Sequence, residues 1–206
     1  MSADWFRNTT WNEAIEREFD DRLSRARKKE QYLRIQGNTL AHSHPIVALK
    51  LLERYFQLHD DFDHAQAYVD QATALLVLGR IEDAMAAYEA ALARESVFPN
   101  LRTQAYLDLP YLIATRGIGK HYNRAKELLN QHGSRLMFPV DHFRWHAAHA
   151  LIAAASGETE VAGAHAKRAL GAASHEHSGF RYHPSIGLVT AQYDKVINKL
   201  GALCAA

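Results

Sequence analysis

A single cysteine, Cys204, stands in the whole chain. No internal disulfide can form, which excludes a disulfide-stapled secreted domain and makes a reducing cytoplasm the expected setting. Long apolar runs are missing too. The most apolar stretch, Ala147 to Ala155, is interrupted by His149 and falls far short of the roughly 20 residues that a membrane-spanning helix needs. The opening Met-Ser-Ala-Asp-Trp-Phe-Arg has no basic start followed by an apolar core, so no signal peptide is expected. Neither sign of charge dominates: Lys plus Arg is 24 and Asp plus Glu is 23, a formal net charge of +1. That balance argues against a dedicated nucleic-acid binder, which carries a basic excess. Strand signals are nearly absent, and so are the signatures of catalysis. There is no glycine-rich phosphate loop, no Gly-x-Ser-x-Gly elbow and no pair of carboxylates in a plausible cleft. Cys204 has no neighbouring base and is not a convincing nucleophile. A non-enzymatic protein is the expectation, with no cofactor and no metal.

What is present is helical. Alanine, leucine, arginine and glutamate recur at spacings of three and four. Thr10 precedes Trp11 and has Glu13 three residues on, the pattern of a capping box. Trp11, Ile15, Phe19, Leu23 and Arg27 follow at intervals of four, a buried stripe that ends in basic residues. Further helices are predicted over 30–42, 45–59, 62–78, 81–94, 101–116, 121–132, 141–156, 158–173 and 185–203. Breaks fall at Pro45, Gly79, Pro99, Gly117 with Gly119, Pro139, Gly157 and the loop from Gly179 to Pro184. Short helices joined by short turns make antiparallel hairpins. With 206 residues, 48% of them apolar, there is room for one domain or a short repeat array.

The hairpins repeat, with decay. In the clearest unit Tyr68, Ala72, Leu75 and Gly79 are followed by Ala84, Tyr88, Ala91 and Leu92. This resembles the tetratricopeptide repeat (TPR), whose first helix carries a bulky, a small and an aromatic residue and whose second carries alanine, an aromatic and alanine. Gln71 and Ser96 depart from the leucine and proline that the family favours, and Pro99 comes three residues late. Ala48, Ala84, Ala125 and Ala162 each fall early in a second helix, separated by 36, 41 and 37 residues. The family period is about 34, so the linkers must be longer here. Gly157 precedes Ala162 by five, as Gly79 precedes Ala84, and Ala150, Ala169 and Leu170 also match. The unit from Tyr32 to Tyr55 has Ser43 in the glycine place, and the unit around Ala125 has His132 and Gly133 in place of Ala-Leu. A non-repeating bundle whose alanines coincide is the alternative.

The resemblance implies an all-α, right-handed solenoid of about four hairpins. These span about 29–60, 65–99, 104–138 and 141–175 within an array over 29–178. A segment and capping helix at 1–28 would precede it, and a loop and capping helix at 179–206 would follow. The family's first helices line a concave groove for a partner peptide or helix. Carried across, that groove holds Leu33, Gly37, Leu40, Gln66, Val69, Thr73, Leu76, Val77, Ala114, Arg144, Ala147 and Leu151. The lysine and asparagine pattern with which some members clamp a terminal carboxylate is missing. Val69, Leu76 and Val77, then Leu33 and Leu40, would supply binding energy, while Gln66, Tyr68, Thr73 and Arg144 set register at the rim. An exposed apolar groove needs a cover. A partner protein, a second copy, or Trp5, Phe6 and Trp11 of the chain's own N-terminal segment would each serve. Ordinary core between the hairpins is the remaining reading.

Thirteen histidines are many for this length. His142, His146 and His149 share one face of a predicted helix, a spacing able to bridge a metal. No His-Glu-x-x-His motif and no carboxylate base accompany them, so core or boundary histidines are the preferred reading over a metal-binding sensor or enzyme. The pairs His42 with His44 and His175 with His177 carry no specific signal. Arg22, Arg25, Arg27, Lys28 and Lys29 read as a solvated helix end, because residues 1–34 hold eight basic and seven acidic side chains.

Overall fold

Helix follows the apolar spacing almost everywhere. The structure, a computed structural model, describes residues 4–58 and 62–205. Residues 1–3, 59–61 and 206 lie outside it, and with them the last residue of the expected 45–59 helix and the expected end of the first hairpin at 60. The described residues form α1 (Glu13–Arg25), α2 (Lys29–Leu40), α3 (Pro45–Phe56), α4 (His64–Val77), α5 (Ile81–Val97), α6 (Ala105–Arg116), α7 (Tyr122–His132), α8 (Pro139–Ala155), α9 (Thr159–Ala173) and α10 (Asp194–Ala205). Short 3-10 turns stand before α7, before α8 and before α10, and no strand occurs among the described residues. The chain divides into two units, Met1–Ala105 and Tyr106–Ala206, with the boundary inside the expected array.

Unit 1 packs α2 on α3 and α4 on α5, with α4 also against α2 and α3. Its core joins Phe19 and Leu23 of α1 to Leu33, Leu40, Leu52 and Tyr55. Each leucine so enclosed contributes about 1.5–3 kcal/mol over an exposed one. The expected capping box at Thr10 does not form. Asn12, directly before the helix, accepts from the N–H groups of Ala14 and Ile15 at 3.0 Å each; Thr10 stands two residues too early to reach them. The helix ends at Arg25, so Arg27 continues the spacing outside it. Trp5 and Phe6 fold back on Tyr32 at 4.8 and 4.7 Å between ring centroids, and Trp11 meets Phe19 at 5.6 Å. Beside them the fully buried Gln36 accepts from the Asn8 N–H at 2.9 Å and donates to the Asn8 carbonyl at 2.8 Å. The helix expected from residue 101 begins at Ala105. The buried Glu95 carboxylate accepts from the N–H and hydroxyl of Thr103, and that hydroxyl in turn accepts from the Ala105 N–H, fixing 101–104 as the lead-in to the helix.

In unit 2 the α8–α9 hairpin closes on smaller side chains. Ala147 and Ala150 of α8 meet Ala166, Ala169 and Ala172 of α9 around Phe143, and Leu200 of α10 completes the cluster. Alanine on both sides lets two helices approach closely. The C-terminal helix begins at Asp194 rather than Ser185. Gly187 takes φ +66°, and a Cβ there would meet Phe138 at 2.5 Å, so a turn replaces the expected first helical turns.

One turn occurs three times. Gly79, Gly117 and Gly157 have φ of 72°, 67° and 78° at the ends of α4, α6 and α8. In each case the next N–H returns to a carbonyl five residues back: Arg80 to Leu75, Ile118 to Ile113, Glu158 to Ala153. Those three residues share φ and ψ of −83° and 69°, −82° and 74°, and −84° and 67°. Only glycine holds the left-handed position of this helix end without strain.

Candidate functional site

In each unit a charge on one helix meets its opposite on the second helix after it. In unit 1, Arg34 of α2 donates through Nη1 to Asp70 of α4 at 3.2 Å and through Nε to Asp63 at 3.0 Å. Asn38 and Gln66 donate to the other Asp70 oxygen at 2.8 and 3.0 Å. Asp70 is 1% exposed, and burial raises its carboxyl above the ordinary value against the pull of Gln66, Arg34 and Asn38. In unit 2, Arg144 of α8 is bonded to Asp108 of α6 and lies over the Tyr111 ring at 4.9 Å. Burial raises Asp108, and Asp108 in turn raises Arg144 despite the burial of the guanidinium. Tyr111 and Tyr193 sit edge to face at 6.0 Å, both raised chiefly by burial. Both bridges join residues 36 apart, with the order of the charges reversed.

The residues expected to line a groove divide by burial. Leu33 and Leu40 are 3% and 0% exposed, within the unit 1 core, and Gly37 and Val69 are buried as well. They turn inward because Leu33 and Leu40 face α1 and α3, which leaves a partner no surface on them. Val77 is 47% exposed, Leu76 is half-buried, and the partly buried Thr73 donates to the Val69 carbonyl at 3.0 Å. Gln66 and Arg144 are engaged with the two carboxylates, and Tyr68 stacks on Phe56 at 4.6 Å. In unit 2, Ala114 and Ala147 are buried and Leu151 is partly exposed. Arg34, Asn38, Asp70 and Asp108 escaped the sequence reading, because their partners lie on other helices. So did a cleft of about 660 Å³ between α3, α4 and α5, lined by Leu49, Lys50, Phe56, Tyr68, Leu75 and Arg80 among others.

The histidine face of α8 meets α9. His146 Nδ1 and His165 Nδ1 are 3.0 Å apart, and His149 stacks on His165 at 4.6 Å between centroids. His142 is exposed. Among the described residues no group of three or more His, Cys, Asp and Glu is arranged to hold a metal ion. Nor is any helix among them long and apolar enough to cross a membrane. No family model, no curated protein and no solved structure matches the chain.

Proposed function

We propose that this chain is a non-enzymatic protein-interaction module of tetratricopeptide-like hairpins that takes a segment of a partner protein on its first-helix face. The recurrent glycine turn at 79, 117 and 157 carries the reading, because a repeated supersecondary unit presents equivalent helix faces to a ligand. On that face Arg34, Asn38 and Gln66, held in place by the buried Asp70, would orient a peptide backbone, and Leu76 and Val77 would take its apolar side chains. A cytoplasmic adaptor or scaffold fits the single cysteine.

Leu76→Asp tests this reading, since a charge on a half-buried position disfavours apolar docking while sparing the core. Affinity capture from lysate of the source organism should return a stoichiometric protein with wild type and lose it with the variant at unchanged helicity. Equal recovery with both chains would overturn the assignment. A structural subunit that fills its own face is a second reading, favoured by the packing of Trp5, Phe6 and Trp11 on the cluster that holds Leu33 and Leu40. It predicts no captured partner with either chain.

A further inference from the structure

Three imidazoles meet where α8 lies on α9 in unit 2. His146 and His165 share one hydrogen between Nδ1 atoms 3.0 Å apart, so one ring donates and the other accepts, and the accepting ring must be neutral. His149 stacks on His165, and its buried Nε2 has no hydrogen-bond partner among the described residues. The groups acting on the rings are histidines or cations. α8 supplies His142, α9 supplies Arg168, and α7 supplies Lys126, which is 3.3 Å from Glu158. Asp108 of α6 is engaged with Arg144. α10 meets this hairpin through Val196, Ile197, Leu200 and Leu203, while its Asp194, Lys195 and Lys199 are exposed. Among the described residues no carboxylate is bonded to any of the three rings.

We infer that this cluster is an acid-sensitive latch, which holds the α8–α9 hairpin closed while the rings are neutral and releases it when they take up protons. The hydrogen bond tolerates one added proton, on the far nitrogen of the donor ring. A second must sit on the accepting Nδ1, where it replaces the lone pair with an N–H pointed at an N–H. The stacked His149 cannot share that charge, since burial, His165, His146 and Lys126 all oppose its protonation. Burial and the same neighbours push His146 and His149 down to about 4 and lower His165, so charge enters as the helices part. All three rings are partly exposed and open to solvent protons. Release would also loosen α10, which packs on both helices. The latch does not depend on the partner-binding reading.

Hydrogen-exchange mass spectrometry on the full chain, corrected for intrinsic rates, tests it between pH 7.0 and 4.5. Protection over 139–173 should fall by about sevenfold or more in wild type, the change between these pH values for a single ring that binds its proton about ten times more weakly in the closed hairpin than in the open one. Protection over 45–56 and 64–97 should change far less. In the triple variant His146→Gln, His149→Phe, His165→Gln the loss should vanish. An equal loss in the variant, or a wild-type hairpin indifferent to pH, would overturn the latch. Should the variant fail to fold, imidazole titration by NMR in wild type decides: midpoints well below 6.5 uphold it, and midpoints near 6.5 contradict it.

Discussion

In unit 1 the α2–α3 hairpin packs on leucine and tyrosine, with Leu40, Leu52 and Tyr55 at 0% exposure, whereas in unit 2 the α8–α9 hairpin closes on alanine around one phenylalanine. The polar bridges differ in the same way. Asp70 accepts from Arg34, Asn38 and Gln66, and Arg34 keeps Asp63 as a second partner. In contrast Arg144 rests on Asp108, and its Nε finds no hydrogen-bond acceptor among the described residues. One unit therefore distributes its buried charge over several partners and the other concentrates it on one. A concentrated bridge is the more fragile, because removing one member strands the other.

The largest expected effect follows from that difference. Asp108→Ala should cost about 3–5 kcal/mol in urea unfolding, since it leaves a mostly buried guanidinium unpaired. Asp70→Ala should cost less, about 1–3 kcal/mol, because Arg34 retains Asp63. Equal costs would erase the distinction between the two bridges.

Acid should separate the units next. His146 and His149 stand near 4 when folded against 6.5 when free, so their stabilising effect is complete above about pH 6.5 and drains away as pH falls toward 4. The slope is at most about 1.4 kcal/mol per pH unit for each ring, and solvent screening of half-buried rings reduces the loss between pH 7 and 5 to about 2 kcal/mol. Asp70 in unit 1 is raised, so its titration works in the opposite direction. Urea unfolding at the two pH values, read separately for the two units, checks the sign.

The helices were legible because their apolar spacing is local, and nine of the expected helices lie within a few residues of their observed ends. The exceptions have local causes. Asn12 was the better cap because it adjoins the helix, Glu95 reached across eight residues to Thr103, and Gly187 set a turn that apolar spacing does not register. The site was harder to read. Gln66, Thr73, Leu76, Val77 and Arg144 were named from register, yet Leu33 and Leu40 shared that register and were taken up by α1 and α3. A face assigned from one hairpin does not reveal which neighbour covers it. Charges on different helices become a pair only once the helices are set side by side, which hid Arg34 with Asp70 and Asp108 with Arg144.

Two smaller effects sharpen the account of unit 1. Gly37→Ala would place a Cβ 2.9 Å from Leu52 Cγ in a fully packed core, an overpacking that should cost about 1–3 kcal/mol. An unchanged unfolding midpoint would mean that Leu52 can move. Asn8→Ala removes the bonds from Nδ2 to Gln36 at 3.1 Å and to the Trp5 carbonyl at 2.7 Å, and keeps the two that the Asn8 backbone makes with Gln36. A loss of about 0.5–1.5 kcal/mol is expected in the same measurement, the smallest of the series.

The central claim is that the first-helix face, and not the second, receives a partner. Val77 and Val97 are both exposed in unit 1, at 47% and 65%, one at the end of a first helix and the other at the end of a second. A photo-crosslinking amino acid placed at each position and activated in lysate compares the two faces within one molecule. The account predicts a discrete crosslinked protein from position 77 and none from position 97. The same product from both positions, or from 97 alone, would contradict it.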